Sequence, residues 1–364
     1  MRIVHLVWSF MTGGIETMLV DIVNEQVKYC DVKLYVINDH YNKALLQTIN
    51  PKVKVILFNR KPSCKNVIPL VKLNFSLLKY RPNVIHCHQA NLVNALWFSW
   101  RKVLTIHNTH CSSKYFCRYQ RLFCISNAVK DYATSQGFPN GKVIYNGIHT
   151  NNIDVKDTSE ISKKDNIKIV CVGRLHPDKG QRFLIEALDN LVNTRHQINI
   201  SCDFIGDGVD KNDLEKLSAQ YQLEDYIKFV GLRSRQWIYS HLKDYDIFVM
   251  PSVSEGFGLT LAEACAAKLP VITSDLEGPL EVIAGGKLGV VFRHKDSIDL
   301  ANKLYHLIVN PCNKSMIEEA YQFTINHFDV ANTTHQYIEE YKKVSMNDIK
   351  IFCFDEKTNL DREN

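Results

Sequence analysis

The chain has 364 residues, of which 45% are hydrophobic and 23% are charged, a composition typical of a globular protein long enough for two domains. No apolar run reaches the roughly 20 residues of a membrane span, and Met1-Arg2 leads directly into IVHLVW without the features of a signal peptide. Eleven cysteines at irregular spacings indicate reduced, buried thiols and a cytoplasmic protein.

The net charge of +5 is divided unevenly along the chain. Residues 1–150 carry 19 of the 44 Lys/Arg and 6 of the 39 Asp/Glu, a net charge of +13, which leaves −8 for residues 151–364. A basic half predicts an anionic partner for that half. On charge alone, nucleic acid and anionic lipid fit equally well.

The first half predicts alternating strands and helices, with strands at residues 3–7, 32–37 and 53–58. Residues 10–16, FMTGGIE, predict a glycine turn that opens an amphipathic helix through about Val27. The turn lacks the GxGxxG pattern of dinucleotide-binding folds. Gly13 and Gly14 would nevertheless let a ligand approach the backbone, and a simple tight turn is the alternative.

Residues 59–82, NRKPSCKNVIPLVKLNFSLLKYRP, interleave basic and apolar side chains. Such a segment either lies on a membrane surface or packs its apolar face on a sheet while its lysines are solvated. The net charge of the first half favours membrane docking, and both interpretations remain open.

Histidines follow two predicted strands, in NVIHCH at residues 83–88 and in VLTIHNTH at residues 103–110. Imidazoles at strand ends suit proton handling or contacts to hydroxyls and phosphates. His86, Cys87 and His88 with Cys111 could indicate zinc. Alternation along a strand points Cys87 away from its neighbours, and no second close ligand pair follows, so we expect no metal there.

A helix opened by Ser126 or Asn127 follows, and the polar residues 154–166 predict the interdomain linker. The second half restarts with a strand in IKIVCVGRLHPDKG, residues 167–180. Arg174 and Lys179 lie on a glycine-containing turn before a helix and are suited to clamp a diphosphate. Solvated loop cations are the alternative.

The stretch PSVSEGFGLTLAEACAAKLPVITS, residues 251–274, follows an apolar strand at residues 247–250. A glycine turn and a helix from Leu259 to Ala267 are predicted, with the helix N-terminus at the carboxyl edge of a parallel sheet, where anions and nucleotides bind. Glu255 and Glu263 bracket the turn. A helix N-terminus keeps carboxylates ionised, so both can accept hydrogen bonds from sugar hydroxyls. The alternative is that Glu255 is a solvated loop residue and that Glu263 only complements the helix dipole.

Asp244-Tyr245-Asp246 resembles an Asp-x-Asp metal motif. It leads directly into the strand at residues 247–250, so we expect a capping role rather than metal binding. Protein cations and helix N-termini would then meet the phosphate charge, and no metal is required.

EGFGLTLAEA resembles the donor-site signature of retaining GT-B glycosyltransferases, in particular glycosyltransferase family 4. The resemblance implies that Glu255 contacts the transferred sugar and Glu263 the nucleotide ribose. It also implies that the diphosphate is held by backbone amides, those of Phe257, Gly258, Leu259 and Thr260.

Other segments carry the same resemblance. VGRLHPDKG is similar to the segment whose Arg and Lys bind the donor phosphates, here Arg174 and Lys179. LTIHNT is similar to the strand end that places a histidine at the catalytic centre, here His107, with His88 as the reserve candidate. The resemblance places the GG turn near the donor phosphates and the acceptor, and thereby implies three site neighbours, Gly13, Gly14 and Glu16.

The implied fold is α/β of the GT-B type, with two Rossmann-like domains facing a central cleft. Residues 1–150 would bind the acceptor, residues 151–330 the nucleotide sugar, and residues 331–364 would form a helix returning to the first domain plus a tail. The implied reaction is a metal-independent, retaining hexosyltransferase-type transfer without a cofactor. UDP is expected over GDP because it is commoner in the resembled family.

From the basic first half we expect a lipid-linked saccharide acceptor at the inner face of the cytoplasmic membrane, an anionic membrane surface as partner, and no nucleic acid. These expectations describe a peripheral enzyme of surface polysaccharide biosynthesis, such as that of O-antigen, capsule or lipopolysaccharide. The alternative is a non-catalytic GT-B-like protein that binds nucleotide sugar or an anionic polymer. The presence of Arg174, Lys179, Glu255 and Glu263 together speaks against it.

Overall fold

The computed structural model describes residues 1–62, 65–157, 166–310 and 313–346. The chain divides into two compact units. Unit 1 comprises Met1–Gly147 and the chain from Val330 onward, and unit 2 comprises Ile148–Asp329. The predicted linker lies inside the amino-terminal part of unit 2, and residues 158–165 of it fall outside the described residues, as do residues 347–364 of the tail.

Unit 1 is built on a seven-stranded parallel sheet in the order β3-β2-β1-β4-β5-β6-β7. Its strands are β1 (Arg2–Val7), β2 (Asp31–Asn38), β3 (Lys54–Arg60), β4 (Val84–Cys87), β5 (Lys102–Ile106), β6 (Arg121–Cys124) and β7 (Lys142–Val143). Its helices are α1 (Gly14–Gln26), α2 (Lys43–Gln47), α3 (Ile68–Tyr80), α4 (Asn127–Ser135) and α12 (Val330–Met346).

The central strands of unit 1 are buried along almost their whole length, as in β1, where the five residues after Arg2 are buried. A strand of a parallel sheet covered by helices on both faces has no solvent-facing side. This explains why IVHLV does not alternate between apolar and polar residues. Helix α4 is capped by Ser126, whose Oγ accepts from Val129 N at 3.2 Å, so Ser126 rather than Asn127 precedes the first helical residue.

Helix α12 belongs to unit 1 although it follows unit 2 in sequence. Tyr337 and Tyr341 are fully buried in it. Their hydroxyls reach polar partners in the interior, because Tyr341 bonds His86 and Tyr337 bonds Thr105. Buried tyrosine hydroxyls are stable only with such partners.

Unit 2 is built on a six-stranded parallel sheet in the order β10-β9-β8-β11-β12-β13. Its strands are β8 (Ile167–Val172), β9 (Ile200–Ile205), β10 (Ile227–Gly231), β11 (Ile247–Met250), β12 (Val271–Ser274) and β13 (Val290–Phe292). Its helices are α5 (Gln181–Asp189), α6 (Lys211–Gln220), α7 (Arg235–His241), α8 (Leu259–Ala266), α9 (Glu277–Val282), α10 (Ser297–Val309) and α11 (Lys314–His327).

Both strand orders are those of a Rossmann fold, in which ligands bind beyond the carboxyl ends of the strands where the order reverses. In unit 2 this point lies between β8 and β11. The predicted α/β class with two Rossmann-like domains is confirmed.

The eight described cysteines are all free thiols, and five are buried: Cys87, Cys124, Cys171, Cys202 and Cys265. Within the described ranges, each helix is too short or too polar to cross a bilayer.

The Asp-x-Asp candidate lies at the amino end of β11, at the opposite edge of the sheet from the ligand-binding loops. Asp246 accepts from Lys156 Nζ at 2.9 Å and from the backbone N of Lys168 at 3.0 Å. Tyr245 donates its hydroxyl to Asp203 at 2.7 Å. Asp246 therefore joins the start of β11 to the start of β8 and to the chain that precedes it.

Asp246→Asn should lower the free energy of unfolding by roughly 1–3 kcal/mol, because one partner of a mostly buried ion pair is neutralised. Urea denaturation would measure the change. Asp244→Asn is the matched control, because it makes the same substitution at an exposed position. It should change the free energy of unfolding by less than about 0.5 kcal/mol. Equal effects of the two variants would contradict the structural role of Asp246.

Candidate functional site

In unit 2, the loop after β8 packs against the loop after β11. The backbone N–H groups of Val253 and Ser254 donate to Asp178 O at 2.8 and 3.1 Å. Gly180 has φ +64°, and a Cβ there would lie 2.1 Å from Pro251 O. Only glycine allows this approach. The two predicted donor segments are thus held together by backbone contacts.

This packing brings Lys179 to Glu255. Lys179 Nζ lies 2.5 Å from Glu255 Oε2, and both side chains are mostly buried. Arg174, in the same loop as Lys179, has an exposed side chain, while its carbonyl accepts from Gln181 Nε2 at 2.9 Å. A cation and a carboxylate in contact, with a second cation nearby in sequence, can bind a phosphate and a hydroxyl of one ligand.

The N-terminus of α8 begins at Gly258, which has φ +108° and caps the helix. The first N–H groups of the helix that bond within the chain belong to Leu261 and Ala262, and both donate to Gly258 O. The preceding amides are those that a helix leaves without intrahelical partners, so they can face an anion. The ring of Phe257 is buried edge-on against Phe328, with centroids 5.1 Å apart, which anchors the turn.

Glu263 is 5% exposed and accepts from Arg235 Nη2 at 3.2 Å. The structure thus gives Glu263 a buried ionic partner in addition to its place in the first turns of α8. Arg235, in α7, was not identified from the sequence, because its contact with Glu263 spans 28 residues and no local pattern marks it. In the structure Arg235 therefore sets the position of the carboxylate that the resemblance assigns to the ribose.

In unit 1, the predicted histidines share one face of the sheet. His5 on β1 pairs in register with His86 on β4, and His88 follows two residues later, so its ring stacks on His86 at 4.4 Å between centroids. His107 follows β5 and stacks on His88 at 5.5 Å. Cys87 points to the other face, as predicted, where burial raises the pKa of its thiol to about 12.

His88 is 3% exposed and His107 is half-buried. His88 Nε2 bonds His5 Nδ1 at 3.0 Å, and His88 Nδ1 bonds His107 Nε2 at 3.3 Å. Both ring nitrogens of His88 therefore have imidazole partners, and His107 is the more exposed of the two candidate histidines. His5 was missed from sequence, although a histidine inside the apolar run IVHLV was a signal for it.

Burial lowers the pKa of His5 and of His107 to about 4. Burial, reinforced by the neighbouring imidazoles, lowers the pKa of His86 and His88 well below the ordinary value. All four rings are accordingly neutral at pH 7. His107 is then a hydrogen-bonding group at pH 7 rather than a strong base, because Brønsted behaviour favours a base with a pKa near the working pH.

The GG turn places Glu16 over Gly13. A Cβ on Gly13 would lie 2.7 Å from Glu16 Oε2, whereas a Cβ on Gly14 would meet no atom within 4 Å. Burial raises the pKa of Glu16. Glu16 Oε2 is the end of a flexible side chain that can move aside, and Gly13 has an extended φ of −163°, so unit 1 by itself requires glycine at neither position.

Two family models match consecutive parts of the chain. Residues 12–152 match Glycosyltransferase Family 4, and residues 152–323 match Glycosyl transferases group 1. Together with the two Rossmann-like units and their loops, these matches decide the family. The chain belongs to the family 4-like GT-B glycosyltransferases.

Similar proteins include glycosyltransferases. The lipopolysaccharide 1,6-galactosyltransferase of Salmonella typhimurium is 24% identical over 302 residues, 77% of this chain and 82% of that protein. A glycosyltransferase of Rickettsia africae superposes with a TM-score of 0.79 at 19% identity, covering 95% of this chain and 99% of that one. Anabaena HepE in complex with UDP and glucose superposes with a TM-score of 0.78 at 22% identity, covering 94% and 99%. These likenesses support glycosyltransferase activity and the GT-B fold.

The lowered pKa of His5 predicts a stability that falls in acid. The unfolded chain takes up the proton near pH 6.5 and the folded chain near pH 4, so stability is lost as the pH falls between these values. At pH 5 the loss from His5 alone should be about 2 kcal/mol relative to pH 7.5. Urea unfolding at the two pH values would measure it.

His5→Gln is the comparison variant, and its pH dependence should be smaller than that of the parent protein. A Trp237→Phe background leaves only the tryptophans of unit 1, namely Trp8, Trp97 and Trp100, so fluorescence follows that unit. An identical pH dependence with and without His5 would show that its folded-state pKa is not lowered.

Proposed function

We propose that this glycosyltransferase moves a sugar from a UDP-sugar to a saccharide on a lipid carrier, with retention of anomeric configuration and without a metal ion, in surface polysaccharide biosynthesis. The contact of Lys179 with Glu255 carries the proposal. It joins a cation suited to the donor phosphates and a carboxylate suited to the transferred sugar, in the unit that the resemblance assigns to the donor.

The donor diphosphate would lie at the N-terminus of α8, with Arg174 and Lys179 beside it. Positive charge at a helix terminus and from side chains stabilises the charge that develops on the leaving phosphate. Glu255 would accept hydrogen bonds from the sugar and Glu263, held by Arg235, from the ribose. HepE bound to UDP and glucose supports UDP as the nucleotide.

Transfer would proceed by front-face attack, in which the leaving phosphate takes the proton of the acceptor hydroxyl. His107 would accept a hydrogen bond from a sugar hydroxyl and orient it, as a neutral imidazole can. In the described part of unit 2, the residues that carry the donor site include no pair of free carboxylates for a double displacement, since Glu255 is paired with Lys179 and Glu263 with Arg235.

The donor site can be tested without knowledge of the acceptor. Nucleotide release from a panel of UDP- and GDP-sugars in the presence of EDTA should occur with one UDP-sugar. The Arg174→Ala, Lys179→Ala double variant should reduce release by roughly 100-fold or more, since two charge-assisted contacts are lost. Lys211→Ala, Lys216→Ala removes the same charge from the exposed face of α6 and should leave release unchanged.

Binding of donor without turnover in the presence of acceptor lipid would favour the non-catalytic alternative. Release that depends on a divalent cation would contradict metal independence. Where product forms, its anomeric configuration, read from proton coupling constants, should equal that of the donor, and inversion would contradict retention.

An acceptor on a lipid carrier fits the surface that α3 presents. Pro69, Leu73 and Leu77 are buried under the helix, so part of its apolar face packs on the sheet. Ile68, Phe75 and Leu78 instead are exposed, at 56, 68 and 40%. The buried side chains fit packing on the sheet, and the exposed ones support membrane docking.

The loop after residue 95 extends this exposed surface. Asn74 on α3 donates to Ala95 O at 2.9 Å and accepts from Trp97 N at 3.0 Å. Trp97 and Phe98 are 51 and 45% exposed. Exposed apolar and aromatic side chains beside Lys72 and Lys79 match a surface that inserts shallowly into anionic lipid. The lipopolysaccharide galactosyltransferase relative supports an acceptor of this kind.

Charge reversal to Glu at Lys61, Lys65, Lys72 and Lys79 should weaken binding to vesicles with anionic lipid by at least 100-fold, at about 1 kcal/mol per removed charge. Vesicle sedimentation would measure it. Reversal at four lysines of unit 1 outside this segment, Lys43, Lys114, Lys130 and Lys142, is the matched control. Equal losses in the two variants would show that net charge alone, not this surface, binds membranes.

A further inference from the structure

A chain of hydrogen-bonded side chains runs from His107 into the interior of unit 1. His107 Nε2 meets His88 Nδ1 at 3.3 Å, His88 Nε2 meets His5 Nδ1 at 3.0 Å, and His5 Nε2 meets Gln26 Oε1 at 2.7 Å. Gln26 is the last residue of α1 and is fully buried. The chain therefore connects a half-buried imidazole to a buried amide through two imidazoles.

Two histidines of this chain, His5 and His88, also lie close enough to a third buried histidine, His86, to hold a metal ion. The ligand atoms of His5, His86 and His88 fall within 4.8 Å of one another. All six of their ring nitrogens, however, already have side-chain partners, which are Gln26, His88, Tyr341, Thr105, His5 and His107. A metal would have to replace bonds that satisfy a closed interior, so the geometry favours a hydrogen-bonded network.

The direction of one bond sets the direction of the next, because a neutral imidazole has one N–H donor and one acceptor nitrogen. The amide nitrogen of Gln26 faces Tyr341 Oη at 3.4 Å, which leaves the amide oxygen to accept from His5 Nε2. His5 Nδ1 must then accept from His88 Nε2. By the same rule His88 Nδ1 accepts from His107 Nε2.

We propose that Gln26 is a positioning residue for the reaction: through His5 and His88 it holds His107 in the Nε2–H form, with Nδ1 as a bare acceptor. No hydrogen bond to this Nδ1 is found from the residues that the structure describes, so it remains open to a sugar hydroxyl. The opposite orientation of the Gln26 amide would invert every bond and make His107 Nδ1 a donor. The catalytic consequence rests on the proposed role of His107.

The same amide orients a second branch. With the Gln26 nitrogen donating to Tyr341, the Tyr341 hydroxyl donates to His86 Nδ1 at 2.5 Å, and His86 Nε2 donates to Thr105 Oγ1 at 2.7 Å. Both branches remain neutral at pH 7, because burial lowers the pKa of each ring. One amide thus determines the proton position on four imidazoles.

Two-bond proton–nitrogen correlation spectra of protein with ¹⁵N-labelled histidine report these tautomers directly. Signals are assigned through single His→Gln variants. At pH 7.5 the parent protein should show His5, His88 and His107 as Nε2–H forms. Gln26→Leu removes the acceptor of His5, and the three rings should become mixtures of both tautomers.

Gln26→Glu is the matched control, because an ionised carboxylate at this position can only accept from His5. It should keep His107 in the Nε2–H form. With the donor assay, Gln26→Leu should lower kcat roughly tenfold with the KM for donor unchanged, the effect of one misdirected hydrogen bond, and Gln26→Glu should restore most of it.

An Nδ1–H form of His107 in the parent protein would overturn the proposal, and this measurement needs no variant. An unchanged His107 signal in Gln26→Leu would also overturn it, as would stoichiometric Zn²⁺ binding that shifts the three buried histidines. A changed tautomer with unchanged kcat would contradict the proposed role of His107 in the reaction and leave the donor-site assays unaffected.

Discussion

The backbone of Gly180 lies against the carbonyl oxygen of Pro251, and this contact sets the positions of the charged groups in unit 2. A Cβ at residue 180 would lie 2.1 Å from this carbonyl oxygen, so the loop after β8 can pack on the loop after β11 only with glycine at this position. This packing brings Lys179 into contact with Glu255. The strand order, which reverses between β8 and β11, places this contact where Rossmann folds bind ligands.

Unit 1 carries four imidazoles on one face of its sheet, of which three are buried and His107 is half-buried. An isolated buried polar group costs stability, whereas a fully bonded network does not. Gln26 from α1, Thr105 from β5 and Tyr341 from α12 supply the partners. The cost of burying a charge keeps every ring neutral, which makes the network directional and ties its outer end at His107 to its inner end.

Much of both units could be predicted from the sequence. Apolar strand runs, glycine turns and helix periodicity located β1, β4, β5, β8, β11, α1 and α8, because each depends on local alternation or on burial by its own segment. The family resemblance implied α12. Among the candidate site residues, Lys179 and Glu255 come from separate segments and are in contact. The loops that follow parallel strands all lie at the same end of the sheet. Residues at strand ends are therefore good candidates for a binding site even before a structure is known.

The residues that sequence reasoning missed share one physical cause. Arg235, Gln26 and the hydroxyls of Tyr337 and Tyr341 act through partners far away in the chain, such as Glu263 for Arg235 and His86 for Tyr341. Asp246 could be assigned to a strand start from its neighbours, but its pairing with Lys156 required the fold.

By itself the sequence determined the two α/β units, the alternation of strands and helices along the chain, and the family resemblance carried by its loop motifs. These features depend on residues that are near one another in the chain. Only the tertiary structure decided which side chains meet: Lys179 with Glu255, Glu263 with Arg235, and His107 with His88 and His5. Such contacts depend on sheet register and on which helix covers which face. Those are properties of the whole chain, and no local segment encodes them.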